Sequence, residues 1–149
     1  MIKVKIEKIS NDAIIPNYAH ETDAGMDLFS TKTIKIHPQH RALVGTGIKL
    51  EIPKGYEAQI RPKSGLALRE GITVLNTPGT IDADYRGEVG VILINHSSKP
   101  YVVEKGQKIA QIVFNRVERV KLVQSKLNKT KRGEGGFGST GLNKIRTNF

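Results

Sequence analysis

The chain has 149 residues, a formal net charge of +10, 5% aromatic residues, no tryptophan and no cysteine. That length fits one domain with an aliphatic core, and the missing thiols exclude a disulfide framework, a thiolate metal site and a cysteine nucleophile. They also fit a reducing, cytoplasmic setting.

No apolar run is long enough to span a membrane, and the N-terminus alternates like a strand instead of opening on a signal-peptide apolar region. His20, His37, His40 and His96 are scattered without zinc-ligand spacing. The positive charge is uneven. From Arg116 onward nine Lys and Arg stand against Glu118 and Glu134, which leaves +3 on the first 115 residues. Such a tail suits a solvated arm or one that binds a polyanion or a triphosphate, and charge alone does not separate these.

In chain order, Ile2, Val4, Ile6 and Ile9 alternate with Lys and Glu, the pattern of a half-buried strand. Further β-like runs lie at 33–36, 41–50, 56–61, 72–76, 88–95, 101–103 and 108–117, separated by Pro- and Gly-rich breaks. Val89-Gly90-Val91-Ile92-Leu93-Ile94 is nearly continuous apolar, as expected of a strand covered on both faces. Only 65–70 reads as helix, with Ser64 as its N-cap and Gly71 at the left-handed C-terminal position. Many short strands at this spacing predict an all-β sandwich or barrel such as a jelly roll. Apolar residues thin out near Ser125, so 1–124 reads as the β-barrel body and 125–149 as a flexible C-terminal arm.

Several segments carry candidate chemistry. Arg61-Pro62-Lys63-Ser64-Gly65 opens the helix, where free amides and a partial positive charge favour phosphate. In Asn76-Thr77-Pro78-Gly79-Thr80-Ile81-Asp82-Ala83-Asp84-Tyr85-Arg86-Gly87-Glu88, Pro78-Gly79 fits the centre of a type II turn. Asp82 and Asp84, two apart, would share a strand face and could hold magnesium or activate water. Alternation puts Tyr85 on the opposite face, so both line one pocket only if the strand bulges or ends there. Asp27, in Asp23-Ala24-Gly25-Met26-Asp27-Leu28, and Gln111, in Gly106-Gln107-Lys108-Ile109-Ala110-Gln111, are further polar candidates. Near the C-terminus, 132–141 sets Arg132, Ser139, Thr140 and the lone ring of Phe137 among five glycines, which suggests a nucleotide clamp. It lacks the Gly-Lys-Ser/Thr ending of a P-loop. Taken singly, the other segments read as caps, turn aspartates and strand-edge polar residues.

Their order outweighs any one of them. Ala24-Gly25-Met26-Asp27-Leu28, Arg61-Pro62-Lys63-Ser64-Gly65-Leu66-Ala67, 79–88, 106–111 and 132–141 together resemble the five ordered motifs of the trimeric dUTPase family, across nearly the whole chain. The resemblance implies a distorted jelly-roll barrel that forms homotrimers and hydrolyses dUTP to dUMP and pyrophosphate with Mg2+. That activity keeps uracil out of DNA and supplies dUMP for thymidylate synthesis. Each active site is then shared between subunits, with the arm closing over it. By resemblance, Asp82 is the general base for in-line attack of water on the α-phosphorus, and Tyr85 lies beneath the deoxyribose, excluding a 2′-hydroxyl. Asn76 and the turn backbone at Gly79 and Ile81 read the uracil edge. Asp27 holds magnesium through water, and Lys63, Ser64, Gly65 and Gln111 contact the phosphate chain. Phe137 stacks on uracil while Arg132, Gly138, Ser139 and Thr140 grip the β- and γ-phosphates. Lys63 stands where the family usually carries arginine, so the planar bidentate fork is lost at that phosphate contact.

A dCTP deaminase of the same superfamily is a second reading. Its turn must accept a 4-amino group and it uses a catalytic glutamate, so Asp82-Ala83-Asp84-Tyr85 and the glycine-rich arm favour the pyrophosphatase. A nucleic-acid-binding barrel would need several exposed aromatics on strands. With four Phe and four Tyr in the chain, no nucleic-acid partner is expected.

Overall fold

The computed structural model describes residues 1–141. The role of 142–149, which the sequence reading leaves unassigned, lies outside the described residues. Ten strands and one helix follow in the order β1 (Lys5–Lys8), β2 (Met26–Phe29), β3 (Ile34–Ile36), β4 (Arg41–Glu51), β5 (Tyr56–Arg61), α1 (Ser64–Glu70), β6 (Ile72–Val74), β7 (Gly79–Ile81), β8 (Glu88–Asn95), β9 (Tyr101–Val103) and β10 (Lys108–Arg116). They form two four-stranded antiparallel sheets, β1-β4-β8-β6 and β2-β10-β5-β7, with β3 and β9 as a separate pair. This is a jelly-roll β fold.

The core is aliphatic, as an aromatic-poor chain requires. Leu28, Ile36, Val44, Ile48, Ile60, Ile72, Val89, Val91, Leu93, Ile109 and Ile112 are all buried. The buried side-chain amide of Asn95 is fully used. Asn95 Nδ2 donates to the carbonyls of Ile36 (3.0 Å) and Lys99 (2.8 Å), and its Oδ1 accepts from the Ser97 amide and hydroxyl, which fastens β8 to β3.

Three expectations change. β1 is an exposed edge strand, all four of its residues facing solvent, because it pairs only with β4. β8 is not covered on both faces. Val89, Val91, Leu93 and Asn95 point inward while Gly90, Ile92 and Ile94 stay half-buried, so the long apolar run belongs to the centre of a single sheet. Ser64 is the first helical residue instead of the cap. Lys63 holds the extended N-cap position without a side-chain cap bond. Gly71 does close α1, with φ 66° and its N–H donating to Ala67 O.

The chain divides into two units, Met1–Arg119 and a second that begins at Val120. The second contains turns but neither helix nor strand as far as Gly141. No helix among the described residues is long and apolar enough to cross a membrane.

Candidate active site

Three groups of the expected residues can be followed. The first gathers on β2, β10 and the end of β5. Gln111 on β10 stands opposite Asp27 on β2 and opposite Arg61 on β5, so one cross-strand row joins segments far apart in sequence. The Gln111 amide donates to Pro62 O at 3.0 Å and ties down the turn into α1. Gly25 leaves room for it, since a Cβ there would lie 2.7 Å from Gln111 Oε1. Past Pro62, Lys63 turns back and donates to Asp27 Oδ1, while Lys108 pairs with Oδ2 at 2.7 Å. Burial pushes the Asp27 carboxyl up, but hydrogen bonds and charge from Lys108 and Lys63 outweigh it and hold the group below its usual range. Ser64 and Gly65 follow on the first turn of α1 with no side-chain cap on the helix amides.

The second group lies on the β6–β7 turn and beyond β7. The Thr77–Pro78 peptide is cis and Gly79 has no positive φ, so the expected type II turn is replaced by one of the cis-proline kind. Gly79 enters β7 opposite Ile60 and is buried there. Asn76 Nδ2 lies 3.4 Å from the position a Gly79 Cβ would take, an approach glycine makes easy. β7 then ends at Ile81, so Asp82 and Asp84 sit in a turn and do not share a strand face. The Tyr85 amide donates to Asp82 O at 3.2 Å. That turn brings Asp82 and Tyr85 onto one cleft of about 580 Å³ with Ile81, Thr80, Lys32 and Leu43. The Tyr85 hydroxyl donates to Glu88 O at 3.1 Å, and its ring lies over Gly87, where a Cβ would sit 2.2 Å from the hydroxyl oxygen. Arg86 donates to Ala83 O and Tyr85 O and pins the turn, and among the described residues Asp82 has no ion-pair partner.

Within one chain these two groups diverge. Gly79 pairs beside Arg61, whereas Ile81 pairs with Ala58, so Asp82 leaves the sheet towards Glu57 and Tyr56. That end is roughly four residues, on the order of 13 Å, along β5 from the Arg61–Gln111–Asp27 row.

The third group belongs to the unit that begins at Val120. Arg132 donates through Nε to Gly135 O at 2.8 Å, and the Ser139 amide donates to Gly136 O at 2.9 Å. Gly133, Gly138 and Gly141 hold positive φ, the ring of Phe137 is fully exposed, and Ser139 and Thr140 are exposed.

Lys108 escapes the sequence reading. Its separation from Gln111 puts it on the wrong face of a regular strand, and only the register shift between Lys108 and Ala110 corrects this. No group of three or more His, Cys, Asp or Glu among the described residues could enclose a metal ion.

A family model for dUTPase matches residues 11–141. A deoxyuridine 5′-triphosphate nucleotidohydrolase of Clostridium tetani is 58% identical over 93% of this chain and 96% of its own length. Among solved structures, the dUTPase of Staphylococcus bacteriophage 80alpha with dUPNHPP covers 95% of this chain and 100% of its own, at 28% identity and a TM-score of 0.88. A D95N dUTPase from phage phi11 of S. aureus, with a structural Mg(II) ion, shares the fold at 24% identity and a TM-score of 0.80, over 87% of this chain and 100% of its own. With the ordered motifs on a jelly roll and relatives matched along almost their full length, the chain belongs to the dUTPase family.

Proposed function

We propose that this chain is a cytoplasmic dUTP diphosphatase that works as a homotrimer, each active site assembled from groups that one chain holds apart. The observation that carries this reading is the division just described. Asp82 and Tyr85 share one cleft, while Asp27, Lys63 and Gln111 share another place. Within the unit Met1–Arg119, Asp82 stands roughly four residues along β5 from the Asp27–Lys63–Gln111 group, a separation that a second copy of the chain would bridge.

Asp82, exposed and without an ion-pair partner among the described residues, accepts a proton from a water and orients it on the α-phosphorus. The new P–O bond forms in line as the bond to the bridging oxygen breaks, releasing dUMP and pyrophosphate. Tyr85 closes the sugar pocket against a 2′-hydroxyl. Asn76 and the backbone at Gly79 and Ile81 read the uracil edge, where a cytosine 4-amino group would meet a donor in place of an acceptor. Lys63, Ser64, Gly65 and Gln111 hold the phosphate chain. Arg132, Gly138, Ser139 and Thr140 grip its far end, and Phe137 stacks on the base and excludes water.

Asp27 fits a hydrated magnesium ion better than a bare one. It is a lone carboxylate with both oxygens engaged by lysines, so it would hold such an ion through the ion's water shell. Mg2+ bound there would offset the charge that builds on the phosphates. Removing dUTP keeps uracil out of DNA, and the product dUMP feeds thymidylate synthesis.

Pyrophosphate release from dUTP, UTP and dCTP in the presence of Mg2+ tests the proposal. A rate on dUTP at least roughly a hundredfold above the other two is expected. Comparable rates on all three would remove the assigned specificity.

A further inference from the structure

The Asp27 carboxylate has two ammonium partners where one would neutralise it, Lys63 on Oδ1 and Lys108 on Oδ2 at 2.7 Å. The second is delivered by a specific irregularity. Gln111 faces Asp27 directly, and Lys108 lies three positions earlier, so unbroken alternation would turn it away. The bulge between Lys108 and Ala110 pairs Lys108 with Phe29, two residues from Asp27 and on its face, while Ile109 and Ala110 both go inward.

The exposures differ in a useful way. The Asp27 side chain keeps 18% of its surface, Lys63 29% and Lys108 52%. A carboxylate that enclosed is costly to leave unpaired. Were Lys63 its sole partner, moving that ammonium to a substrate phosphate would strand Asp27. We propose that Lys108 is a positioning residue that keeps Asp27 paired and in place, so that Lys63 is free to exchange from the carboxylate to the phosphate chain. The inference rests on the dUTP reading above. Lysine suits the exchange at position 63 because its point charge moves on a flexible stem, whereas arginine would lock both oxygens in a fork.

Binding of dUPNHPP to the full chain tests this in EDTA at 0.15 M salt, conditions that need neither turnover nor metal. Lys108→Met is expected to weaken binding roughly tenfold, and Lys108→Arg to restore most of it. In a Lys63→Met background the further loss of Lys108 should cost less than about twofold, because no ammonium remains to be freed. A cooperative melting transition retained in Lys108→Met, whose parent side chain is half exposed, shows that the fold is intact. Equal binding by Lys108→Met and the parent overturns the inference alone. Full additivity of the two losses also overturns it, since Lys108 would then be a phosphate ligand in its own right. A parent chain that does not bind the analogue overturns the dUTP reading and this inference together.

Discussion

The Tyr85 amide donates to the Asp82 carbonyl at 3.2 Å, immediately after β7 has ended at Ile81. This one turn brings a carboxylate and a ring, which strand alternation would set on opposite faces, to the same cleft. Asp82→Asn keeps the turn, since only the main chain makes that bond, and removes the base. Turnover should fall by roughly 10²–10⁴ while dUTP binding changes little. A near-normal rate constant in stopped-flow would discharge Asp82 from the role.

Gly87 supports the ring from below. A Cβ at that position would lie 2.2 Å from the Tyr85 hydroxyl oxygen, so Gly87→Ala must displace the side chain and break its bond to Glu88 O. The preference for dUTP over UTP in kcat/KM should drop by about tenfold or more with the fold retained. An unaltered preference would mean that the ring does not set sugar selectivity.

The Asp27 ion pairs predict a stability profile. Its carboxyl is held below the ordinary 3.8, so the folded protein keeps the charge at pH values where the unfolded chain has bound a proton. The stabilisation is complete above that ordinary value and disappears as pH falls through the lowered one. In metal-free buffer Asp27→Asn should therefore melt earlier than the parent at neutral pH, with the gap closing in strong acid. A gap that persists unchanged to the lowest pH would assign the loss to packing instead of charge.

Truncation after Thr130 removes Arg132, Phe137 and the glycine-rich turns and leaves the body's strands untouched. Turnover should drop by at least roughly a hundredfold with melting of the body unchanged, as loss of transition-state donors implies. An unchanged rate would separate this segment from the chemistry.

Much of this arrangement was readable from residue order, and the failures have physical causes. β-like apolar runs between Pro and Gly breaks mark β4, β5, β8 and β10, whose inward faces are aliphatic. That reading passes over β2 and β7, because Met26–Phe29 follows a glycine, Gly79–Ile81 opens on one, and both are short and held by neighbouring strands more than by their own pattern. The five motifs pointed to Asp27, Asp82, Tyr85 and Gln111 through their order. They could not reveal Lys108, whose place depends on a bulge that only the pairing of β2 with β10 creates. The cis Thr77–Pro78 bond was equally hidden, since a Pro-Gly step suits several turn types.

In the proposed trimer each active site takes its base and its glycine-rich arm from different copies of the chain. Co-refolding two inactive variants, Asp82→Asn and the truncation after Thr130, in equal amounts tests it most directly. If the base and the arm of each site come from different chains, random reassortment should return about a quarter of the parental dUTPase rate. If they come from one chain, every site carries one defect. A mixture that forms hybrids, verified by differently tagged copies, yet stays inactive would contradict the account.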